Sequence, residues 1–248
     1  LWLKTLYRKR AVTWPFIFYT IIWTLSIHHP ETKKTIYYEL LLRKKESESI
    51  FPEDFHLSII SDLDKHWLYM YWLKKTLIKI LENNPKKIFS LNLDPQELEY
   101  DSTFLLLEEL RRYKHQLIIE ITETPPLKRN YPYYSLINED ALKKIIQFGY
   151  TVSIDDVGQG INSLSAMFKM KNYFHIIKFS TMVFRKTTSE ETLKQIIKLF
   201  ASIAIQLDKL FVVEGIENQE FAQWLETNIS CYHQGYLYSI PKRLQNID

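Results

Sequence analysis

The stretch TVSIDDVGQG, residues 151–160, runs a short apolar segment into two adjacent aspartates and two glycines. On a regular strand neighbouring side chains point to opposite faces, so Asp155 and Asp156 cannot share a site while the backbone stays extended. A turn is one account of Asp and Gly here. A metal site at a strand end is the sharper one, because a bend there lets both carboxylates converge. The same shape, an apolar run closing on a polar or acidic residue, recurs along the chain. The other runs are FIFYTIIW (16–23), IYYELLL (36–42), IFSLNL (88–93), LIIEIT (117–122), FHIIKF (174–179), FVVEG (211–215) and YHQGYLYSI (232–240).

Helical stretches separate most of these runs. DKHWLYMYWLKKTLIKILENN (64–84) has apolar residues at helical spacing. Thr188 and Glu191 have the spacing of a capping box ahead of Leu193, Ile196, Ile197, Phe200 and Ile203, and Asn218 suits a cap for QEFAQWLE. Strands alternating with helices predict parallel pairing through right-handed crossovers. Between the first two runs, HHPETKK is too short for a crossover helix, so that pair is read as an antiparallel hairpin. Eight runs in 248 residues predict an α/β fold, a TIM-like (β/α)8 barrel whose first strand is antiparallel to the rest. A doubly wound open sheet is the alternative. One domain is expected over 1–248, with a lead-in helix in 1–15 and the barrel in 16–241.

The charge balance, 32 basic against 29 acidic residues for a net +3, is too even to argue for a nucleic-acid polymer as partner. Cys231 is the single cysteine, which excludes an internal disulfide and suits a reducing, cytoplasmic setting. AVTWPFIFYTIIWTLSI (11–27) carries no charge and follows Lys4, Arg8, Lys9 and Arg10. It is short for a membrane span, contains Pro15 and is rich in β-branched and aromatic residues, so a buried strand is expected over a span. The first residue is Leu, and further sequence upstream is expected.

In a barrel, function gathers at the C-terminal ends of the strands. Those ends carry Glu39, Asn92, Glu120, Asp155 with Asp156, Lys178, Glu214 and Gln234. Five carboxylates and an amide are hard oxygen donors suited to Mg2+ or Mn2+, and the set lacks the histidine and cysteine that zinc favours. Asn92 alternates with Leu91 and Leu93, and Glu120 with Ile119 and Ile121, which turns the polar residue inward. Taken singly, each acidic residue reads as well as a helix cap or a solvated loop residue. The coincidence of the set carries the inference.

The pieces YELLLR, SLNLDPQEL, IEITET, IDDVGQGINSLS, IIKFS, VVEGIEN and HQGYLYSIP resemble, in order and rough spacing, the EAL domain family of cyclic di-GMP phosphodiesterases. The signature tripeptide is Glu-Leu-Leu here rather than Glu-Ala-Leu. The resemblance implies that Glu39, Asn92, Glu120 and Asp155 hold one divalent cation, and that Asp155 bridges to a second beside Asp156 and Glu214. It implies Mg2+ or Mn2+ in both sites, with Ca2+ inhibiting. Lys178 orients the attacking water or stabilises developing charge, and Gln234 helps place the water. Arg43 binds a phosphate of cyclic di-GMP, with Leu40 and Glu217 also at the ligand. Glu123 anchors the loop after Asp156, through which the family forms homodimers. Regulation is expected from an upstream sensor domain.

Several positions depart from the family pattern. Thr20 and Ile21 stand about where Gln and Pro are usual in the first strand, which touches guanine recognition. Ser180 replaces the acidic neighbour of the lysine, and Val157 and Gln159 alter the loop after the paired aspartates. The two other readings of such a chain are a receptor that binds cyclic di-GMP without cleaving it and a protein-interaction scaffold.

Overall fold

The structure, a computed structural model, describes residues 20–44, 50–129 and 137–244. The expected lead-in helix and residues 16–19 of the first run lie outside the described residues. Strands β1 (Thr20–His28) and β2 (Thr35–Lys44) form the expected antiparallel hairpin, with Leu25 opposite Glu39 and Thr20 opposite Lys44. From β2 the sheet continues in parallel through β3 (Phe89–Leu93), β4 (Leu117–Ile121), β5 (Thr151–Ile154), β6 (Ile176–Ser180), β7 (Leu210–Glu214) and β8 (Tyr232–Gln234). β1 then pairs with β8 as well as β2, and the eight strands close on themselves. Closure excludes the open doubly wound sheet.

Eight helices cover the barrel among the described residues: α1 (Glu53–Ile60), α2 (Leu63–Asn83), α3 (Asp101–Glu109), α4 (Glu139–Phe148), α5 (Leu164–Met170), α6 (Thr181–Thr187), α7 (Glu190–Gln206) and α8 (Gln219–Asn228). α2 starts because Asp62 accepts the Lys65 N–H at 3.0 Å, and it buries Tyr69, Met70, Leu73, Leu77, Ile80 and Leu81 on one face. Asn218 caps α8 as expected, accepting from the Phe221 N–H at 2.9 Å. For α7 the cap is Ser189, which accepts from Thr192 N–H at 3.2 Å, rather than Thr188. Thr188 instead donates its hydroxyl to the Phe184 carbonyl and finishes α6.

Strand alternation divides the interior in two. Leu40, Leu91, Leu93, Ile119, Ile121, Val152, Ile154, Ile177, Phe179, Phe211 and Val213 point outward into the main core against the helices. Ile27, Tyr37, Ile118, Ile176 and Val212 point inward and pack as a separate plug inside the barrel. On β2, β4, β6 and β7 the next inward residue, two positions on, is Glu39, Glu120, Lys178 or Glu214, which the sequence pattern singled out.

Two runs differ in extent from expectation. The first strand runs to His28, because its pairing with β2 extends down to Thr35. YHQGYLYSI is strand only over Tyr232–Gln234; Gly235 breaks the ladder, and Tyr238 N–H and Ser239 N–H return to its carbonyl in a turn. Beyond that turn a short β9 (Lys242–Arg243) pairs with β1. No helix of the described residues is long and apolar enough to cross a membrane, and Thr20–Ile27 of the uncharged stretch is β1.

Leu77 is fully buried in the core, whereas Leu199 on α7 is 53% exposed. Leu77→Ala should lower unfolding stability by about 2–5 kcal/mol, and Leu199→Ala by no more than about 0.5 kcal/mol. Equal losses in chemical denaturation would contradict this division of core and surface.

Candidate functional site

Lys178, inward on β6, is the centre of the barrel mouth. Its side chain is fully buried, and Nζ contacts Glu120 Oε1 from β4, Glu214 Oε1 from β7 at 2.6 Å, Asp155 Oδ1 at 3.3 Å and Glu39 Oε2 from β2 at 3.7 Å. Two amides complete the ring: Asn92 Nδ2 donates to Glu39 Oε1 at 2.8 Å, and Gln234 Nε2 donates to Glu39 Oε2 at 2.7 Å. Seven strand-end residues expected from the sequence are thus brought together.

Asp156 joins them through its backbone. β5 ends at Ile154, and Asp156 takes φ +45°, the left-handed region that Asp tolerates better than most residues. That turn sets carboxylate oxygens of Asp155, Asp156 and Glu214 within 4.8 Å of one another. The loop is then tied down. Val157 N–H bonds the Lys178 carbonyl at 3.0 Å, and Ile161 N–H bonds the Glu123 carbonyl at 2.9 Å. Glu123 therefore meets this loop through its backbone, and a Cβ on Gly160 (φ +44°) would collide with that same carbonyl. Val157 is fully buried in the main core.

Sequence reasoning missed Asn162. Its Nδ2 donates to the carbonyls of Asp155 at 2.5 Å and Ile121 at 3.2 Å, pinning the turn at the paired aspartates. A polar residue two positions after Gly160 was the available signal. It also missed the network behind Asn92. Buried His66 links Ser102 Oγ (2.7 Å) to Glu97 Oε1 (3.3 Å), while Glu97 Oε2 accepts from Asp94 N–H (2.8 Å) and fixes the chain as it leaves β3.

Not every expected residue reaches the centre. Leu40 is one position from Glu39, so alternation turns it outward, and its side chain lies in the main core. Glu217 is exposed on the β7–α8 loop, outside the carboxylate group. Arg43, four residues beyond Glu39 on the same strand face, is half-buried, with Nη1 bonded to the Leu42 carbonyl and a buried Nε that has no partner among the described residues. Thr20 and Ile21 lie across from Lys44 and Arg43, and the β1 residue facing Glu39 is Leu25.

Four carboxylates around one ammonium leave an excess of three negative charges if all are ionised. Burial pushes Glu120 well above the usual carboxylate range and raises Asp155, and the neighbouring carboxylates add to both. Glu214 is pushed up to about 8 by burial and by Asp155 and Glu39. Asp156 is pushed up to about 7 by burial and the adjacent Asp155 charge. For Glu39, burial is outweighed by Lys178 and the two amide donors, and its carboxyl lies low. For Lys178, burial opposes the charge, but its ring of carboxylates holds the ammonium well above its ordinary value.

These residues fit hard divalent cations. Oxygens of Glu39, Glu120 and Glu214 form one group within 4.8 Å, and Asp155, Asp156 and Glu214 form another. Asn92 Oδ1, Glu120 Oε2 and Gln234 Oε1 are buried acceptors with no donor among the described residues. All are oxygen atoms, which suits Mg2+ or Mn2+. Glu214 belongs to both groups and Asp155 to the second, and both also meet Lys178 Nζ.

Parallel strand ends carrying an all-oxygen acidic cluster at one mouth define a (β/α)8-type barrel with a candidate metal centre. The EAL domain family model matches residues 25–241, and the chain belongs to that family. It is 26% identical over 219 residues to the cyclic di-GMP phosphodiesterase TpdA of Vibrio parahaemolyticus, covering 86% of this chain and 36% of that protein. It is 25% identical over 219 residues to the cyclic di-GMP phosphodiesterase PdeF of Escherichia coli K12, covering 84% of this chain and 28% of that protein. The chain thus spans about a third of the length of the curated relatives it matches. Among solved structures, the EAL enzyme Bd1971 bound to cAMP and cyclic di-GMP has a TM-score of 0.74 at 24% identity, over 98% of this chain and 68% of that one. The Klebsiella pneumoniae BlrP1 manganese/cyclic di-GMP complex has a TM-score of 0.73 at 22% identity, over 95% of this chain and 58% of that one. Both likenesses support the barrel.

A carboxyl group with a higher pKa folded than unfolded takes up a proton on folding, so it costs stability as pH rises through that window. For Glu214 the window runs from the ordinary 4.5 to about 8, and for Asp156 from 3.8 to about 7. The metal-free protein should therefore melt at falling temperature as pH rises from 6 towards 8, and millimolar Mn2+ should flatten that decline. A metal-free melting temperature that rises across the window would contradict these shifts.

Proposed function

We propose that the chain hydrolyses one of the two phosphodiester bonds of cyclic di-GMP, giving linear pGpG, with two divalent cations, Mg2+ or Mn2+, at the barrel mouth. The observation that carries this reading is the pair of oxygen-donor groups sharing Glu214, wrapped round a buried lysine. Its members are residues at which the chain keeps the family's pattern. Bound cations would neutralise phosphate charge and lower the pKa of an attacking water.

The chain's own residues divide the remaining work. Lys178, held charged, has protons to donate and none to accept, so it orients the water or stabilises negative charge developing on the phosphate. Gln234 spends its amide N–H on Glu39 and leaves Oε1 to accept from a water. Glu39, Asn92, Glu120, Asp155, Asp156 and Glu214 would hold the cations and thereby place the phosphate. Arg43, with an uncommitted buried Nε at the rim, takes a phosphate oxygen. In the net reaction the water oxygen bonds to phosphorus, one ribose oxygen leaves, and the water proton ends on the leaving group. A nucleophilic side chain is not needed.

We also propose that the chain acts in the cytoplasm as a homodimer. Leu164 and Phe168 on α5 and Met182 and Val183 on α6, beside the loop after Asp156, are each 39–45% exposed and suit that contact. A sensor domain elsewhere in the full protein would supply regulation, since the relatives extend well past the matched region.

Incubating the purified chain with cyclic di-GMP and Mg2+ or Mn2+ should give pGpG on chromatography, and chelation should stop it. No pGpG with either metal would overturn the proposal; heat of cyclic di-GMP binding in Ca2+ would then mark a receptor. Glu39→Ala and Asp155→Ala should each abolish turnover. Arg43→Ala should raise KM roughly tenfold, about 1.4 kcal/mol, with a smaller change in kcat. An unchanged KM would remove Arg43 from the phosphate.

A further inference from the structure

Three hydroxyls lie inside the barrel beneath the acidic ring, and the roles proposed above use none of them. Tyr37, Ser90 and Ser153 sit two residues before Glu39, Asn92 and Asp155 on β2, β3 and β5, so all three share the inward face. They are 3%, 0% and 0% exposed, and none of the three oxygens has a hydrogen-bond partner among the described residues. Beside Ser153 in the β4–β5 register, Glu120 Oε2 is likewise buried without a donor. Buried hydroxyls are rarely left unsatisfied, because each loses a water partner at a cost of about 1–3 kcal/mol.

The space they occupy is also unusual for a barrel interior. Inward layers in this fold are ordinarily filled by branched side chains. Here the inward positions two residues before the ring are Tyr37, Ser90, Ile118, Ser153, Ile176 and Val212, with Ile27 of β1 packed against them. At β3 and β5 a serine presents less volume to the interior than the branched residues usual at such positions. The lining is polar at Tyr37, Ser90 and Ser153 and apolar at Ile27, Ile118, Ile176 and Val212. Three inward hydroxyls and a carboxylate oxygen, each without a partner among the described residues, supply the two to four partners that a buried water requires.

We infer that ordered water occupies the barrel interior beneath Lys178, held by Tyr37 Oη, Ser90 Oγ and Ser153 Oγ, and that it props the Glu120 carboxylate from below. Tyr37 is then a positioning residue. It acts through water on Glu120, which meets Lys178 and the first cation group. The consequence for the proposed reaction rests on the reading of the mouth as a metal centre; the water site does not.

A high-resolution crystal structure of the metal-free chain decides the site itself. Ordered density within hydrogen-bond distance of Tyr37 Oη and at least one serine Oγ is expected. A dry interior, or hydroxyls bonded only to one another or to backbone carbonyls, would overturn the inference. Tyr37→Phe and Ser153→Ala, both conservative in shape, test the positioning role by Mn2+ calorimetry. Each should weaken Mn2+ binding on the order of tenfold, and lower kcat with little change in KM. A shift in melting temperature with unchanged Mn2+ affinity in both variants would leave the hydroxyls a structural role only and refute the positioning. If the unaltered chain binds no Mn2+, the metal-centre reading fails, while the crystal density still judges the water.

Discussion

One ammonium group organises this molecule. Lys178 Nζ meets carboxylates delivered by β2, β4, β5 and β7, strands far apart in the chain. Burying a lysine or a glutamate alone costs several kcal/mol, and the attraction between them repays this only when the geometry and the remaining hydrogen bonds are complete. In this ring they are incomplete by design. Negative charge is in excess, Glu120 and Glu214 are driven towards protonation, and several oxygens lack donors. An arrangement of that kind is costly for stability and suited to cation binding. The barrel closes around it because the outward faces of the same strands carry a continuous apolar core that offsets the cost.

The turn at Asp155 and Asp156 shows how strand geometry becomes chemistry. Two neighbouring side chains on a strand diverge, and only the left-handed backbone at Asp156 brings both to one side. Holding that conformation falls to neighbours: Asn162 grips the Asp155 carbonyl, Val157 is sealed in the core, and Gly160 lets the loop pass against the Glu123 carbonyl. The loop that departs most from the family pattern is nonetheless tied at both ends by the backbone. Its drifted side chains, Val157 and Gln159, leave those ties in place.

Much of this was legible in the sequence for a physical reason. Strand alternation puts one polar residue at the inward end of each apolar run, so Glu39, Asn92, Glu120, Lys178, Glu214 and Gln234 announce both the fold and the site. The short HHPETKK connection likewise implies the antiparallel first strand. Other features depend on the third dimension. Glu214 as the residue shared by both oxygen groups follows from barrel closure, which no local pattern encodes. The early end of β8 at Gln234 turns on the backbone angle of Gly235, and the Ser189 cap on a one-residue choice between adjacent hydroxyls.

The account stands on the claim that the Lys178 ring is a two-cation centre. Counting Mn2+ bound by the metal-free chain at neutral pH, by equilibrium titration with electron paramagnetic resonance of the free ion, tests it most directly. Two ions per chain are predicted, with neither retained at comparable affinity in Glu214→Gln. Zero or one ion per chain, or two that persist in that variant, would contradict it.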